Sequence, residues 1–238
     1  MLWHNLKGKD LMASTTKLQT DIIKVSLTSF ADYLLKTGLT KLNAVRRVVE
    51  QIEQGYRPSR DYYRKFRDGI RDLHMREKPI SLLEHLVGSV TDANKQVNYE
   101  ALARGYRRFW GATFQDEVPS WVTPVRTHWS FEDVTVSINP ELGFRTSTET
   151  YQIKLYLKED KPSKQQCATI LHLMQLMVRP HAPGAVVALL DVRRGKLIEP
   201  VSFNRSLTTV LEGEALCFQR MFRSIVRERS NEALRSEE

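Results

Sequence analysis

Two strand-like segments in the second half of the chain constrain its fold most strongly. In residues 151–158 apolar and polar side chains alternate, so Ile153, Leu155 and Leu157 share one face of a predicted strand. Residues 184–190 form a short and almost uninterrupted apolar run, which is typical of a strand buried on both faces. A helical pattern lies between the two segments, so this part of the chain predicts an α/β core with a mixed sheet.

The predicted core extends towards the N-terminus of these segments. A strand is predicted at 134–138, where Val134, Val136 and Ile138 alternate and face inward. Residues 142–150 are predicted to form a hairpin connection into the next strand. All of these elements are expected to belong to the same sheet.

Polar residues follow the apolar run directly. Asp191 ends the run, and Arg193, Arg194, Gly195 and Lys196 come next. An acid beside three bases at the end of a buried strand is one candidate for a functional site. The alternative interpretation is a hairpin turn in which Gly195 adopts a positive φ and the polar side chains face water.

Capping residues predict where several helices begin. Pro162 or Ser163 is predicted to open the helix between the two strands, and Asn204 to cap a long final helix. Asn98 is predicted to cap an aromatic-rich helix at 99–110. Short connections join this helix to the helical patterns before it.

The whole chain is predicted to be an α+β protein, in which an N-terminal helical domain precedes a small α/β domain with a mixed sheet. Its 238 residues are enough for one large domain or two small ones. The N-terminus is polar and without clear periodicity, and Met12 is an alternative start to Met1. The predicted divisions are a flexible N-terminus at 1–20, a basic helical domain at 21–113, a linker or edge strand at 114–130, an α/β domain at 131–228 and a frayed C-terminus at 229–238.

Positive charge is distributed unevenly along the chain. Residues 1–113 contain 20 of the 36 Lys and Arg residues but only 12 of the 28 Asp and Glu residues. Residues 114–238 contain 16 of each kind, so the formal net charge of +8 comes entirely from the N-terminal half. This asymmetry favours a polyanionic partner such as DNA or RNA, or else an acidic protein.

Arginines in the third predicted helix recur on one side. Arg60, Arg64, Arg67 and Arg71 are spaced at i, i+4, i+7 and i+11, and we call them the arginine stripe. Guanidinium groups suit phosphate oxygens, so the stripe is a candidate nucleic-acid surface. The alternative is a solvated face on which Arg64 pairs with Asp68. Further candidate phosphate contacts on this and neighbouring helices are Arg57, Arg107 and Arg108.

In a second motif, ten residues separate Pro140-Glu141 from Gln152-Ile153-Lys154. It resembles the PD-(D/E)xK nuclease superfamily, in which two acids on adjacent strands hold Mg²⁺ and a lysine two residues after the second acid assists water attack. The resemblance implies catalytic roles for Glu141, Gln152 and Lys154. The sequences of residues 139–143, 153–156 and 190–197 also resemble those of a group of bacterial proteins.

The sequence departs from the nuclease pattern at both acids. Glu141 stands where aspartate is usual, and Gln152 is a neutral residue in the place of the second acid. Asp191 or Glu149 would then have to complete the Mg²⁺ site with Glu141. The resemblance therefore implies either a magnesium-dependent nuclease with a degenerate motif or a nuclease-like domain that has lost cleavage.

Several other classes of function lack their sequence signals. Glycine-rich phosphate loops and dinucleotide fingerprints are missing, and no apolar run is long enough for a membrane helix. Cys167 and Cys217 predict free thiols, so we expect a cytoplasmic protein with no membrane partner. The expected function is a nucleic-acid-associated protein with a divergent nuclease-like domain. The alternative is a non-catalytic protein-interaction or regulatory module on the same scaffold.

Overall fold

The computed structural model of the chain describes residues 22–55 and 61–235. The predicted flexible segment at 1–20, with its alternative starts, therefore lies outside the described residues. Two of the candidate phosphate contacts, Arg57 and Arg60, also lie outside them.

The described residues form seven α-helices and eight β-strands, which confirms the predicted α+β class. The helices are α1 (Leu27–Leu34), α2 (Gly38–Glu53), α3 (Arg64–Met75), α4 (Leu83–Gly88), α5 (Ala93–Thr113), α6 (Lys164–Val178) and α7 (Arg205–Arg235). The strands are β1 (Ile23–Ser26), β2 (Ser120–Trp121), β3 (Thr127–Phe131), β4 (Val134–Ile138), β5 (Leu142–Arg145), β6 (Thr150–Tyr156), β7 (Val186–Asp191) and β8 (Lys196–Ile198).

The chain divides into two compact units that do not follow the predicted domain boundaries. The first unit combines described residues from 22–55, His128–Ser137 and 204–235, and the second combines described residues from 61–127 with Ile138–Phe203. The predicted helical domain is therefore split, because α1 and α2 belong to one unit and α3 to α5 to the other.

The first unit is built on a three-stranded sheet in the order β1-β4-β3. Strand β1 pairs in parallel with β4, with Ile23 opposite Val134 and Val25 opposite Val136. Aromatic side chains from both ends of the chain fill the core, and the rings of Tyr33 and Phe218 meet edge to face at 5.0 Å. Helices α1, α2 and α7 thus share one apolar core with this sheet.

Helix α7 also carries polar contacts to α2. Lys41 pairs with Glu214 at 2.6 Å, and Arg229 reaches Glu50 at 3.0 Å and Glu53 at 2.5 Å. The helix continues to Arg235, beyond the predicted end of the ordered chain at 228. Arg229, the first charged residue of the segment predicted to be frayed, instead pairs with a neighbouring helix.

The second unit is built on a five-stranded mixed sheet in the order β2-β5-β6-β7-β8. Strands β6 and β7 are parallel and joined by α6, whereas the other neighbours are antiparallel. The predicted strand, crossover helix and buried strand are confirmed here, and Ser163 caps α6 by accepting from the Gln166 N–H.

Two sequence predictions about this sheet are wrong. Strand β4 does not join it, because its backbone pairs with β1 in the first unit. Residues 142–150 are not simply a connection, since Leu142–Arg145 forms β5 and pairs with β6. Val134, Val136 and Ile138 are nevertheless buried, as their alternation predicts.

Helices α3, α4 and α5 cover one face of the five-stranded sheet. Their buried side chains form one apolar cluster with the residues of β6 and β7 that face them; its members include Phe66, Ile70, Leu83, Tyr106, Phe109, Ile153, Leu155, Ala188 and Leu190. Helix α6 packs on β7. The strand alternation places Gln152, Lys154 and Asp191 on the face opposite to this cluster.

Helix α5 begins earlier than predicted. It starts at Ala93, where Asp92 accepts a hydrogen bond from the Lys95 N–H, so Asn98 is not its cap. Among residues 22–55 and 61–235, none of the helices combines the length and the apolar character needed to cross a bilayer.

Candidate functional site

Strand pairing brings Glu141 and Lys154 together. The antiparallel register sets Leu142 opposite Ile153, so the residue before β5 lies beside Lys154 on β6. The Lys154 Nζ lies 2.5 Å from Glu141 Oε1. These two predicted site residues therefore form a direct ion pair.

Both partners of this ion pair make further hydrogen bonds within the sheet. The Leu155 N–H donates to Glu141 Oε2 at 2.8 Å, and Lys154 Nζ donates to the Asn139 carbonyl at 3.0 Å. The side chains of Lys154 and Glu141 are only 12% and 15% exposed. Both carboxylate oxygens and the ammonium group are thus engaged inside the protein.

Gln152 points to the same face as Lys154 but has a different partner. Its Oε1 accepts a hydrogen bond from the Val125 N–H at 2.8 Å, and the residue is 2% exposed. The segment that leads into β3 is therefore held against β6 by this amide. Gln152 satisfies a backbone donor at the position where the resemblance implies a metal ligand.

Asp191 lies at the end of β7 and is 1% exposed. Arg194 Nη1 lies 3.2 and 3.3 Å from its two carboxylate oxygens, and Arg194 Nη2 donates to the Glu159 carbonyl. Gly195 has a φ of +61°, and β7 and β8 pair antiparallel around it. The hairpin turn and the positive φ of Gly195 are as predicted, but Asp191 is buried against Arg194 and does not face water.

The four predicted carboxylate and amide positions do not converge. The sheet register sets Glu141 beside Lys154 and Asp191 beside Tyr156, two strands apart, which puts the Cα atoms of Glu141 and Asp191 about 12 Å apart. Glu149 lies at the other end of the β5–β6 hairpin, where it accepts a hydrogen bond from the Tyr151 hydroxyl. Burial, with this bond, raises the pKa of Tyr151 to about 12.

The residues proposed to hold Mg²⁺ do not fit that ion in this arrangement. The Glu141 and Asp191 carboxylates each face a cationic side chain, and Glu149 is remote from both. Within the described residues, no group of three His, Cys, Asp or Glu side chains could hold a metal ion.

The described arginines of the arginine stripe each pair with an acid. Arg64 and Arg71 both lie 3.3 Å from Asp68, and Arg67 lies 2.6 Å from Asp61. This is the pattern of a solvated, ion-paired helix face. Phosphate binding by these residues stays a prediction.

Arg67 is also under the influence of the buried ion pair. Burial lowers the pKa of its guanidinium, but the hydrogen bond and charge of Asp61 and the charge of Glu141 raise it overall. The stripe and Glu141 are therefore electrostatically linked within the second unit.

The two candidate arginines on α5 differ from each other. Arg107 pairs with Glu84, whereas Arg108 donates to the backbone carbonyl of Arg194 at 3.3 Å. The sequence alone gave no reason to expect different partners for Arg107 and Arg108. The signal that could have done so is Gly105, a glycine inside a helix, which marks a close approach of another backbone to this side of α5.

A buried pair of a histidine and a tyrosine lies beside the apolar cluster of the same unit. The Tyr106 hydroxyl and His74 Nε2 are 2.7 Å apart, and the His74 ring stacks on Trp110 at 4.3 Å. Burial lowers the pKa of His74 to about 4. A neutral imidazole therefore belongs to the core of this unit.

Comparison of the chain with protein-family models, with curated proteins and with solved structures gave no match. The site is thus defined by its own geometry.

Proposed function

We propose that this chain is a nucleic-acid-associated protein whose nuclease-like hairpin has a structural rather than a catalytic role. The observation that carries the proposal is the charge distribution, because all of the surplus of eight positive charges lies in residues 1–113. A polyanion is the partner that such a surplus attracts most strongly.

The non-catalytic part of the proposal is supported by the hydrogen bonds of the β5–β6 hairpin. Glu141 and Lys154 neutralise each other, and Gln152 holds the Val125 backbone. A lysine that already donates to a carboxylate and to a carbonyl has little capacity left for an attacking water. These residues then stabilise the sheet on which α3, α4 and α5 are mounted.

The competing function is a protein-interaction module with an acidic partner. The ion pairs of Arg64, Arg67 and Arg71 weaken the case for a phosphate surface at the arginine stripe, because they leave less free positive charge than the sequence suggests. An acidic protein surface would exchange with Asp61 and Asp68 at these arginines in the same way as a phosphate would.

The test is binding and cleavage of labelled single- and double-stranded DNA and RNA, with Mg²⁺ or Mn²⁺ present. We expect affinity that falls as salt rises, and no cleavage product. Absence of binding to every nucleic acid would reject the proposal and favour the protein partner. Metal-dependent cleavage by the wild type that is lost in Lys154→Ala, with the variant's fold checked by circular dichroism, would show that the hairpin is catalytic.

A further inference from the structure

Helix α5 and the β7–β8 turn are in direct backbone contact within the second unit. A Cβ atom added to Gly105 would lie 2.0 Å from the Val192 carbonyl oxygen and 2.5 Å from that of Arg193. One added to Gly195 would lie 2.6 Å from the Gly105 carbonyl oxygen. Glycine at both positions therefore lets the turn lie directly on the helix, which fixes the side chains that leave from it.

Two arginines are attached to this contact through neutral oxygen atoms. Arg193 Nη2 donates to Asn98 Oδ1 at 2.5 Å, and Arg108 Nη1 donates to the Arg194 carbonyl at 3.3 Å. Among the described residues, the buried Arg193 Nε has no hydrogen-bond partner. Both guanidinium groups are thus held by neutral acceptors and not by a carboxylate.

A third arginine lies beside them. Arg104 precedes Arg108 by one helical turn and is exposed. Within the described part of the chain, Arg104, Arg108 and Arg193 form no ion pair with a carboxylate. They differ in this from Arg64, Arg67 and Arg71 of the arginine stripe.

An aromatic ring and a lysine lie close to Asn98 near the start of α5. Asn98 Nδ2 donates to the Tyr62 hydroxyl at 3.0 Å, and Lys95 Nζ lies 5.1 Å from the centre of the Tyr62 ring. Tyr62 is 39% exposed. From Asn98 to Arg108 the helix rises about 15 Å, which is long enough to follow several nucleotides. We call these residues the α5 surface: Tyr62, Arg104, Arg108 and Arg193.

We propose that the α5 surface binds the phosphate backbone of a single-stranded nucleic acid, an inference that rests on the proposed function. Phosphate oxygens can bind Arg104, Arg108 and Arg193 without first displacing a carboxylate, so the whole gain of a charge-assisted hydrogen bond is retained. The partly exposed Tyr62 ring offers a base a surface for stacking, which a duplex cannot use without unpairing. The proposed contact with nucleic acid is therefore assigned to the α5 surface and not to the arginine stripe on α3.

The decisive comparison uses two double variants that remove the same charge. Arg104→Gln/Arg108→Gln changes the α5 surface, and Arg64→Gln/Arg71→Gln changes the ion-paired face of α3. Affinity for labelled single-stranded DNA and RNA, and for duplex DNA, is measured between 50 and 200 mM salt, conditions under which phosphate contacts respond strongly. Urea midpoints of all proteins establish that each variant is folded.

We expect the α5 variant to reduce the slope of log K against log salt by about 1.4 on single strands, because each lost phosphate contact removes about 0.7. The α3 variant should leave the slope unchanged. Equal reductions in both variants, or a reduction in the α3 variant alone, would overturn the α5 surface while the proposed function stands. If the wild type binds no nucleic acid, the proposed function fails first and the inference with it.

Tyr62 provides an independent test of strand preference. Tyr62→Leu should weaken single-strand binding about tenfold through lost stacking, whereas Tyr62→Phe keeps the ring and should bind as the wild type does. Duplex affinity should be the same for all three proteins. Equal single-strand affinity of the Leu and Phe variants would reject the role of the ring, and a stronger affinity for duplex than for single strands would reject the proposed ligand. A preference between the DNA and RNA strands identifies the natural source of the phosphates.

Discussion

Lys154 and Glu141 form an ion pair that water scarcely reaches. Their charged atoms are 2.5 Å apart, and the remaining carboxylate oxygen accepts the Leu155 N–H. A partly buried charge that loses its partner must bear its desolvation cost alone. The pair is therefore expected to matter more for stability than ion pairs on the arginine stripe.

Removal of one partner should destabilise the protein strongly. We expect Lys154→Met to lower the free energy of unfolding by about 3 kcal/mol, because Glu141 is left as an uncompensated charge. The double variant Glu141→Gln/Lys154→Met should lose less than the sum of the single variants, by about 2 kcal/mol. Urea denaturation of the four proteins measures this coupling.

Arg64→Met is the matched control for this cycle. Its partner Asp68 is exposed, so the loss should stay below about 0.5 kcal/mol. Similar losses for Lys154→Met and Arg64→Met would contradict the buried character of the Glu141 pair.

Gln152 should be required for its acceptor rather than for its volume. Gln152→Leu keeps a side chain of similar size but leaves the Val125 N–H without its partner, so we expect a loss of about 2 kcal/mol in the free energy of unfolding. Amide hydrogen exchange at Val125 should accelerate in this variant by more than global destabilisation explains. Unchanged exchange at Val125 would contradict a protecting role for the Gln152 side chain.

His74 should make stability depend on pH in the acidic range. Its pKa is about 4 in the folded chain, against an ordinary 6.5, so between these values the unfolded chain binds a proton that the folded chain does not. The contribution is complete above pH 6.5 and decreases as pH falls towards 4, by about 3 kcal/mol in all. Urea midpoints measured from pH 7.5 to 4.5 test this.

The control for His74 must not leave a buried hydroxyl unpaired. His74→Phe/Tyr106→Phe removes both partners of the hydrogen bond, and its stability should decrease less steeply with acid than that of the wild type. The pKa of His172 is also lowered by burial, so some acid sensitivity should remain in this variant. Identical slopes for both proteins would exclude His74 as a source.

Two glycines of α5 should respond in opposite directions to the same change. Gly105→Ala would drive a methyl group into the Val192 carbonyl. We therefore expect the free energy of unfolding to decrease by about 3 kcal/mol and the affinity of the α5 surface for nucleic acid to fall. Gly111→Ala meets no described atom within 4 Å and should gain about 0.8 kcal/mol from helix propensity. Thermal denaturation distinguishes the two, and a tolerated Gly105→Ala would mean that the turn is not docked on the helix.

Signals carried by neighbouring residues were sufficient for several elements. Ser163 caps α6 through an acceptor placed three residues before the Gln166 N–H, and this spacing is visible in the sequence. Gly195 also marks its turn in the sequence, because few other residues adopt a positive φ. The alternation in β6 likewise identified its two faces.

Pairing between distant residues could not be predicted in this way. The alternation of Val134, Val136 and Ile138 indicates a buried face but does not say which strand lies beside it, and the partner is β1, more than a hundred residues earlier. The candidate site suffered from the same limit. Spacing brought Glu141 and Lys154 together, but only the register and side-chain directions show that they bind each other and that Glu149 lies elsewhere.

The composition of the first unit from three separate stretches has a consequence for synthesis. Strand β1 cannot pair until β4 has been synthesised. The core around Tyr33 is completed when Phe218 of α7 packs against it. A chain leaving the ribosome therefore can complete the second unit's sheet while β1, α1 and α2 still lack their final helix. Such long-range closure is slow and exposes apolar surface in the meantime, so the nascent chain should depend on chaperones until α7 emerges.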